Sequence, residues 1–133
     1  MLKQLYIKNF ALIDSLDMDF YPGFSVMTGE TGAGKSIILG AINLLLGQRA
    51  ESKYIKKGSD KCVIEAHFDL SKYNMQPFFT DNDIEYDAND CILRRELTAA
   101  GKSRAFITDT PVPLSIIKQL GEQLIDIHSQ HQN

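Results

Sequence analysis

The chain has 133 residues, which is the size of one ordinary domain. Hydrophobic residues make up 44% and charged residues 23%, a composition typical of a soluble globular protein, and no apolar run approaches the ~20 residues of a membrane span. The net charge of −3 argues against strong nonspecific nucleic-acid binding by the whole surface but leaves room for a local basic patch. We expect a cytoplasmic protein whose cysteines, Cys62 and Cys91, are reduced and packed.

The first twenty residues predict two strands. Met1–Phe10 is rich in apolar and aromatic residues, and in Ala11–Phe20 apolar residues alternate with serine and aspartate. We expect Asn9 to begin the turn between these strands. The following Tyr21–Gly23 has the chemistry of a turn, because proline presets φ and glycine accepts a positive φ.

The next stretch, Gly29–Ser36, matches the phosphate-loop pattern G-x-x-x-x-G-K-[ST] at every fixed position. The apolar run Phe24–Met27 predicts a buried strand before it, and Ser36–Leu46 predicts an apolar helix after it. Strand, glycine-rich loop and helix form the context that the pattern requires. Gly47 stands where a glycine commonly ends a helix.

The residue types of this loop predict a nucleotide site. Its glycines let backbone N–H groups approach a phosphate closely, and the helix N-terminus adds free N–H groups and a positive dipole end. Lys35 can reach the β- and γ-phosphates, and the Ser36 hydroxyl can ligate Mg²⁺. We therefore expect ATP and Mg²⁺ as cofactors, with the phosphate ligands Gly29, Glu30, Thr31, Gly32, Ala33, Gly34, Lys35 and Ser36.

The polar stretch Gln48–Lys61 has two interpretations. It is either a solvated loop, as most runs of charge are, or a contact surface for a nucleic-acid backbone. The second interpretation assigns DNA contacts to Arg49, Lys53, Lys56 and Lys57, with Lys61 nearby.

The second half of the chain predicts further strands. Cys62–Asp69 alternates cleanly and places His67 on its polar side, as a surface residue and not a ligand. Ser71–Asp90 is expected to be a loop-rich link. Cys91–Leu97 and Ser103–Ile107 then read as a hairpin joined by a glycine-containing loop.

The last thirty residues predict the end of the sheet, a short helix and one more strand. Pro111 and Pro113 are expected to end the sheet, with a helix from Leu114 to Leu120 stopped by Gly121. Gln123–His128 is then interpreted as an apolar strand.

The sequence lacks a convincing hydrolytic apparatus. A P-loop ATPase also needs an apolar strand ending in aspartate to support the Mg²⁺ shell. The best candidate, Leu124–Asp126, is short and is not followed by a glutamate, and the sequence contains no Leu-Ser-Gly-Gly signature. We expect a chain that binds the phosphates of ATP without hydrolysing ATP efficiently.

These features together resemble the RecN family of bacterial DNA repair proteins, a relative of the structural-maintenance-of-chromosomes (SMC) proteins and of RecF. The resemblance runs along most of the chain and leaves only the Ser71–Asp90 link unmatched. The matching segments are Leu5–Ile13, Gly29–Ser36, Leu44–Ala50, Leu93–Glu96, Gly101–Ile107 and Asp126–Gln132.

The resemblance implies an ATPase head that is split along the sequence. Residues 1–133 would form the N-terminal lobe, an α/β P-loop NTPase half-domain with a mixed β-sheet, an antiparallel β-subdomain and few helices. A coiled coil and a C-terminal lobe would supply the signature, the Walker B strand and the catalytic glutamate. Gln130, or alternatively Gln132, would be the glutamine-loop ligand of Mg²⁺.

The implied function is nucleotide-gated head dimerisation in DNA double-strand break repair and recombination. The implied partners are ATP, the C-terminal lobe, a second head and DNA, in a nucleoid-associated cytoplasmic protein without a membrane. The full-length protein would be an ATPase and this chain alone inactive. The alternative is another P-loop protein, either a RecF-like or SMC ATPase or a small-molecule kinase that recruits Arg94, Arg95 and Arg104.

Overall fold

The computed structural model describes residues 2–20 and 32–130, and they form one antiparallel sheet with helices. The six strands lie in the order β2-β1-β3-β4-β5-β6, with every neighbouring pair antiparallel. The predicted turn Tyr21–Gly23 and strand Phe24–Met27 lie outside the described residues, so the mixed sheet is not tested there. The elements are β1 (Leu2–Phe10), β2 (Ile13–Asp19), α1 (Gly32–Leu45), β3 (Lys61–Phe68), α2 (Gln76–Asp81), β4 (Cys91–Thr98), β5 (Ser103–Ile107), β6 (Thr110–Val112) and α3 (Leu114–Gln130).

Alternation along the strands builds the core. One face of β1, β3, β4 and β5 is buried and the other is polar or half-buried, as the two-residue period requires. All five predicted strands, β1 to β5, are confirmed, and their ends differ from the predicted ones by at most two residues. The central inward side chains are fully buried and include Leu5, Ile7, Cys62, Ile64, Ala66, Cys91, Leu93 and Ile107.

Helix α1 lies against the buried face, over β3 and β4. Its Ala41, Leu44 and Leu45 are buried in the same core. The helix ends in a Schellman motif, in which the Gly47 N–H donates to Leu44 O at 3.3 Å and the Gln48 N–H donates to Asn43 O at 3.1 Å. Gly47 has a φ of +114°, which confirms the predicted helix-ending glycine.

The Ser71–Asp90 link is more ordered than the sequence predicts. Helix α2 lies within it, with Pro77 in its first turn, and buries Phe78 and Phe79. The ring centroids of Phe79 and Tyr86 lie 4.5 Å apart. The link is therefore an apolar cover for the Leu2 end of the sheet, whose polar residues are confined to its outer side.

The sheet was expected to end at Pro111 and Pro113, but Pro111 lies within β6 and the sheet ends directly before Pro113. A two-residue turn, Thr108-Asp109, leads into β6, and Pro111 is paired opposite Phe106. Both turn residues have positive φ, 47° and 65°, the geometry of a type I′ hairpin turn. This turn was not predicted from the sequence because neither residue is glycine or asparagine, the usual residues at such positions.

The C-terminal segment differs most from the predicted secondary structure. Residues 114–130 form one helix, so the predicted stop at Gly121 and the predicted strand Gln123–His128 are wrong. Gly121 is buried inside the helix, where an added Cβ would lie 2.7 Å from Leu46 O. Its role is close helix packing, because α3 crosses the end of α1 at that point.

The two cysteines are free and fully buried, as predicted. Burial raises the pKa of the Cys62 thiol to about 11 and that of Cys91 to about 12. Both thiols therefore behave as small packed apolar groups. In the described ranges, 2–20 and 32–130, no helix is both long and apolar enough to cross a membrane.

The glycines of the two helices predict opposite responses to alanine. A Cβ at Gly40 would lie 3.8 Å from the Phe10 ring, an ordinary contact, so Gly40→Ala should stabilise the fold by ~0.5–1 kcal/mol. A Cβ at Gly121 would collide with Leu46 O, so Gly121→Ala should destabilise it by ~1–3 kcal/mol. Urea denaturation measures both changes in the free energy of unfolding.

Each variant controls for the other, since both replace a helical glycine with the same residue. Equal stabilisation by the two substitutions would show that α3 does not approach α1 at Gly121 as closely as described.

Candidate functional site

The phosphate-loop motif leads into the N-terminus of α1. The helix begins at Gly32, three residues before the predicted start near Lys35, so Gly32–Lys35 form its first turn. The first N–H groups of a helix have no intrahelical partner, which suits this turn to binding an anion. Ser36 follows directly and is exposed. Gly29, Glu30 and Thr31 lie outside the described residues, and their assignment stays a prediction.

The opposite end of α1 is held by a buried arginine. Arg95 lies on the inward face of β4 and is 1% exposed. Its Nη1 donates to Leu44 O at 2.6 Å and to Gln48 O at 2.9 Å, and its Nη2 donates to the Ser103 Oγ at 2.6 Å. One guanidinium thus joins the end of α1 to the β4–β5 hairpin.

The electrostatics of this contact are favourable at the carbonyl end of a helix. The last carbonyls of α1 carry the negative end of the helix dipole, and a cation there is stabilised. Burial lowers the pKa of the Arg95 guanidinium from its ordinary value, but arginine stays protonated. The role of Arg95 is therefore structural.

Its neighbour Arg94 points to the opposite, polar face of the sheet. Arg94 forms ion pairs with Glu65 at 3.6 Å, Glu96 at 3.1 Å and Asp109 at 3.4 Å. The guanidinium also lies 4.4 Å from the centroid of the Phe106 ring. Arg94 and Arg95 are therefore already engaged within the chain, which removes two of the three arginines that a small-molecule kinase would use to clamp phosphate.

The basic stretch is an anchored surface and not a free loop. Ile55 is buried and bridges to Phe10, and a short 3-10 turn, Ser52–Tyr54, precedes it. Lys53 pairs with Glu51 at 3.0 Å, and this carboxylate raises the pKa of Lys53.

The remaining basic residues of the stretch divide into paired and exposed ones. Lys56 pairs with Asp14 at 2.9 Å, and Lys61 pairs with Glu96 at 3.1 Å. Arg49 and Lys57 are exposed and form no ion pair within residues 2–20 and 32–130.

A turn that the sequence did not single out as functional lies against this stretch. Leu12, at the tip of the β1–β2 turn, is 87% exposed, the largest exposure of a bulky apolar side chain in the described chain. Asn9 and Ala11 on its N-terminal side have positive φ, 56° and 53°. The only sequence signal was an apolar residue close to the turn expected at Asn9, and single exposed leucines are common.

The structure gives the elements on which the predicted metal ligands lie. Ser36 lies in α1 and Gln130 is the last residue of α3, not a residue that follows a strand. Asp126 also lies on α3, so Leu124–Asp126 is not a Walker B strand. His67 is bonded to Asp90 and Glu65 on the polar face of the sheet. Over the part of the chain that the structure describes, no three His, Cys, Asp or Glu residues cluster to hold a metal.

Comparison with known proteins places this geometry in a family. A family model described as an AAA domain matches residues 4–133. The DNA repair protein RecN of Vibrio cholerae is 44% identical over 131 residues, 98% of this chain and 24% of that protein. RecN of Bacillus subtilis is 39% identical over 134 residues, 100% of this chain and 23% of that protein. The chain thus spans about a quarter of the length of these relatives, and the resemblance seen in the sequence is confirmed.

Solved structures agree on the fold. A chain described as "Structural biochemistry of ATP-driven dimerization and DNA stimulated activation of SMC ATPases" aligns with a TM-score of 0.71 at 21% identity, covering 93% of this chain and 79% of that one. The SMC head domain from Thermotoga maritima aligns with a TM-score of 0.61 at 22% identity, covering 90% of this chain and 41% of that one. The predicted α/β fold with an antiparallel β-subdomain and few helices is confirmed.

Arg95 generates a prediction about stability. Arg95→Met should lower the free energy of unfolding by ~2–4 kcal/mol, because it leaves Leu44 O, Gln48 O and the Ser103 hydroxyl without their donor in the core. The measurement is chemical denaturation at neutral pH.

Arg94→Met is the matched control, one residue away on the polar face, and should cost about 1 kcal/mol or less. If the two variants lose the same stability, the buried guanidinium does not carry the connection described above.

Proposed function

This chain belongs to the AAA domain family, and from that membership we propose that it is the ATP-binding lobe of an SMC-like ATPase acting in DNA repair. The observation that carries the proposal is the complete phosphate-loop motif entering a helix whose far end is fixed by Arg95. A RecF-like or SMC protein is the alternative within the same fold. The 44% identity to a RecN protein, against 14–22% for the SMC and RecF structures, supports the RecN-like assignment.

The proposed role of each ligand follows from its chemistry. The backbone N–H groups of Gly29–Lys35 would bind the phosphate oxygens of ATP, and the Lys35 ammonium would neutralise the β- and γ-phosphates. The exposed Ser36 hydroxyl fits an Mg²⁺ site at the start of the helix, since Mg²⁺ prefers oxygen ligands. Gln130 would complete that shell as the glutamine-loop residue, with Gln132 as the competing choice.

We propose that the lobe works with a C-terminal lobe of the same polypeptide, beyond a coiled coil, and with a second head. The apolar helix α1 supports a further packing partner, because several of its large side chains are only half-buried, namely Ile37, Ile38, Leu39 and Ile42. ATP shared between two heads would hold them together, and hydrolysis would release them. The biological setting would be the repair of DNA double-strand breaks by recombination, in a protein associated with the nucleoid.

ATP binding through the loop is directly testable. Lys35→Ala should weaken ATP·Mg²⁺ binding to this chain by about 10- to 100-fold, the effect of losing a charge-assisted hydrogen bond to phosphate, with little change in stability. Ser36→Ala should reduce the dependence of ATP binding on Mg²⁺, because one oxygen ligand is lost. Isothermal titration calorimetry with and without Mg²⁺ measures both.

Lys72→Ala, which removes an exposed lysine from a loop, is the control for the change in net charge. Unchanged affinity in the Lys35 variant would count against the assignment. Steady-state ATP turnover by the unmodified chain should be negligible, and a turnover abolished by Lys35→Ala would show that this lobe is active alone.

A second prediction concerns DNA. We propose that Arg49, Lys53, Lys56 and Lys57 contact the DNA backbone in the full-length protein. Reversing Lys53, Lys56 and Lys57 to glutamate should weaken DNA binding and flatten its dependence on salt, since each phosphate contact contributes a log–log slope of about −0.9. ATP binding should survive, because the phosphate loop supplies its own ligands.

The measurement is fluorescence anisotropy of labelled duplex DNA over a salt series. An unchanged slope in the triple variant would leave the stretch as an ordinary solvated surface. The chain alone, with a net charge of −3, should show no binding at physiological ionic strength.

A further inference from the structure

The residues around the exposed leucine form a defined surface, which we call the lysine surface. This surface lines a shallow cavity of about 370 Å³. Its lining residues are Ala11, Leu12, Lys53, Ile55, Lys56 and Lys57. Two segments that are distant in sequence, the β1–β2 turn and the stretch after α1, therefore contribute to one surface.

The backbone of this surface is fixed by hydrogen bonds. The Ala11 N–H donates to Tyr54 O at 2.8 Å, and the Lys56 N–H donates to Asn9 O at 2.8 Å. The Asn9 side-chain amide donates to Lys61 O at 3.0 Å. These bonds hold Asn9 and Ala11 at positive φ, a conformation that persists only where its surroundings impose it.

Two of its three lysines already bind carboxylate oxygens. Lys56 Nζ lies 2.9 Å from Asp14 Oδ1, and Lys53 Nζ lies 3.0 Å from Glu51 Oε2. Both carboxylates belong to exposed positions at the edge of the surface, and the Asp14 side chain is 84% exposed. An anionic oxygen is thus accommodated at each ammonium group at hydrogen-bond distance, the geometry that a phosphate oxygen would also adopt.

We propose that Asp14 and Glu51 compete with DNA phosphates for Lys56 and Lys53, and that Leu12 adds an apolar contact to the bound strand. The inference rests on the DNA contact proposed above and deepens it. The occupant is a nucleic-acid backbone, because the surface joins three cations to one apolar tip in a chain that is acidic overall.

The competition sets both affinity and salt dependence. A phosphate that pairs with Lys56 releases a counterion from DNA, but the Lys56–Asp14 ion pair must first be broken. Salt weakens this exposed ion pair, so the cost of breaking it falls as the salt concentration rises, and the salt slope of the unmodified protein is shallower than its number of lysine contacts predicts. Removing the carboxylate removes this competition.

The test uses the full-length protein with the variants Asp14→Asn, Glu51→Gln and their combination. Each substitution should raise the affinity for duplex DNA by roughly 1.5- to 5-fold, the strength of an exposed ion pair that no longer has to be broken. Each should also steepen the log–log salt slope, because the competing ion pair, which salt weakens, is no longer present. Glu85→Gln is the matched control, since it removes the same charge from an exposed loop residue near the opposite end of the sheet.

The contribution of Leu12 to DNA binding can be measured separately from that of the lysines. Leu12→Ser should lower DNA affinity at every salt concentration without changing the salt slope, because an apolar contact releases no counterions. A Leu12 variant with unchanged affinity would remove the apolar contact from the proposal.

The outcomes separate this inference from the proposed function. If Asp14→Asn and Glu51→Gln behave like Glu85→Gln while the triple lysine reversal still weakens DNA binding, the competition is overturned and the DNA contact stands. If the triple reversal changes nothing, the DNA contact fails and the competition fails with it. If the neutralised variants gain affinity for a poly-glutamate peptide but not for DNA, the surface belongs to an acidic protein and the proposal is overturned. ATP titration of the same samples reports on the phosphate loop independently.

Discussion

The arrangement of this chain depends on the hydrogen bonds of the buried Arg95 guanidinium. A helix that carries a phosphate loop must present its first turn at a fixed place, and it can be held only from its body and its far end. Arg95 holds the far end through two carbonyls and reaches the β4–β5 hairpin through Ser103. Helix α1 is thereby linked to the β4–β5 hairpin.

Two glycines complete the same junction. The positive φ of Gly47 lets the chain leave α1 at once, and the missing side chain of Gly121 lets α3 cross within contact of Leu46. An added Cβ at Gly47 would itself lie 2.9 Å from the backbone of Lys118. The end of α1 and the middle of α3 therefore meet without space for another side chain at either glycine.

The sequence predicted the strands well because alternation is a local signal, and the inward position of Arg95 could be read from its place between Leu93 and Leu97. It could not reveal what a buried arginine binds, since Leu44 and Gln48 are about fifty residues away in sequence. Gly121 was misread for a related reason: a glycine that ends a helix and a glycine that admits a neighbouring helix look the same in one dimension. Leu12 became conspicuous only when folding placed it beside the lysines.

The two outer strands of the described sheet have a consequence for self-association. An edge strand with free N–H and C=O groups is a template on which other chains can aggregate. At one edge, Pro111 in the three-residue β6 has no N–H to offer. At the other, β2 carries Asp14, Asp17 and Asp19 on exposed positions, and a copy of itself would bring like charges together. Both edges of the described sheet therefore disfavour intermolecular β-pairing, which favours helices, loops or sheet faces for any contact between copies of this chain.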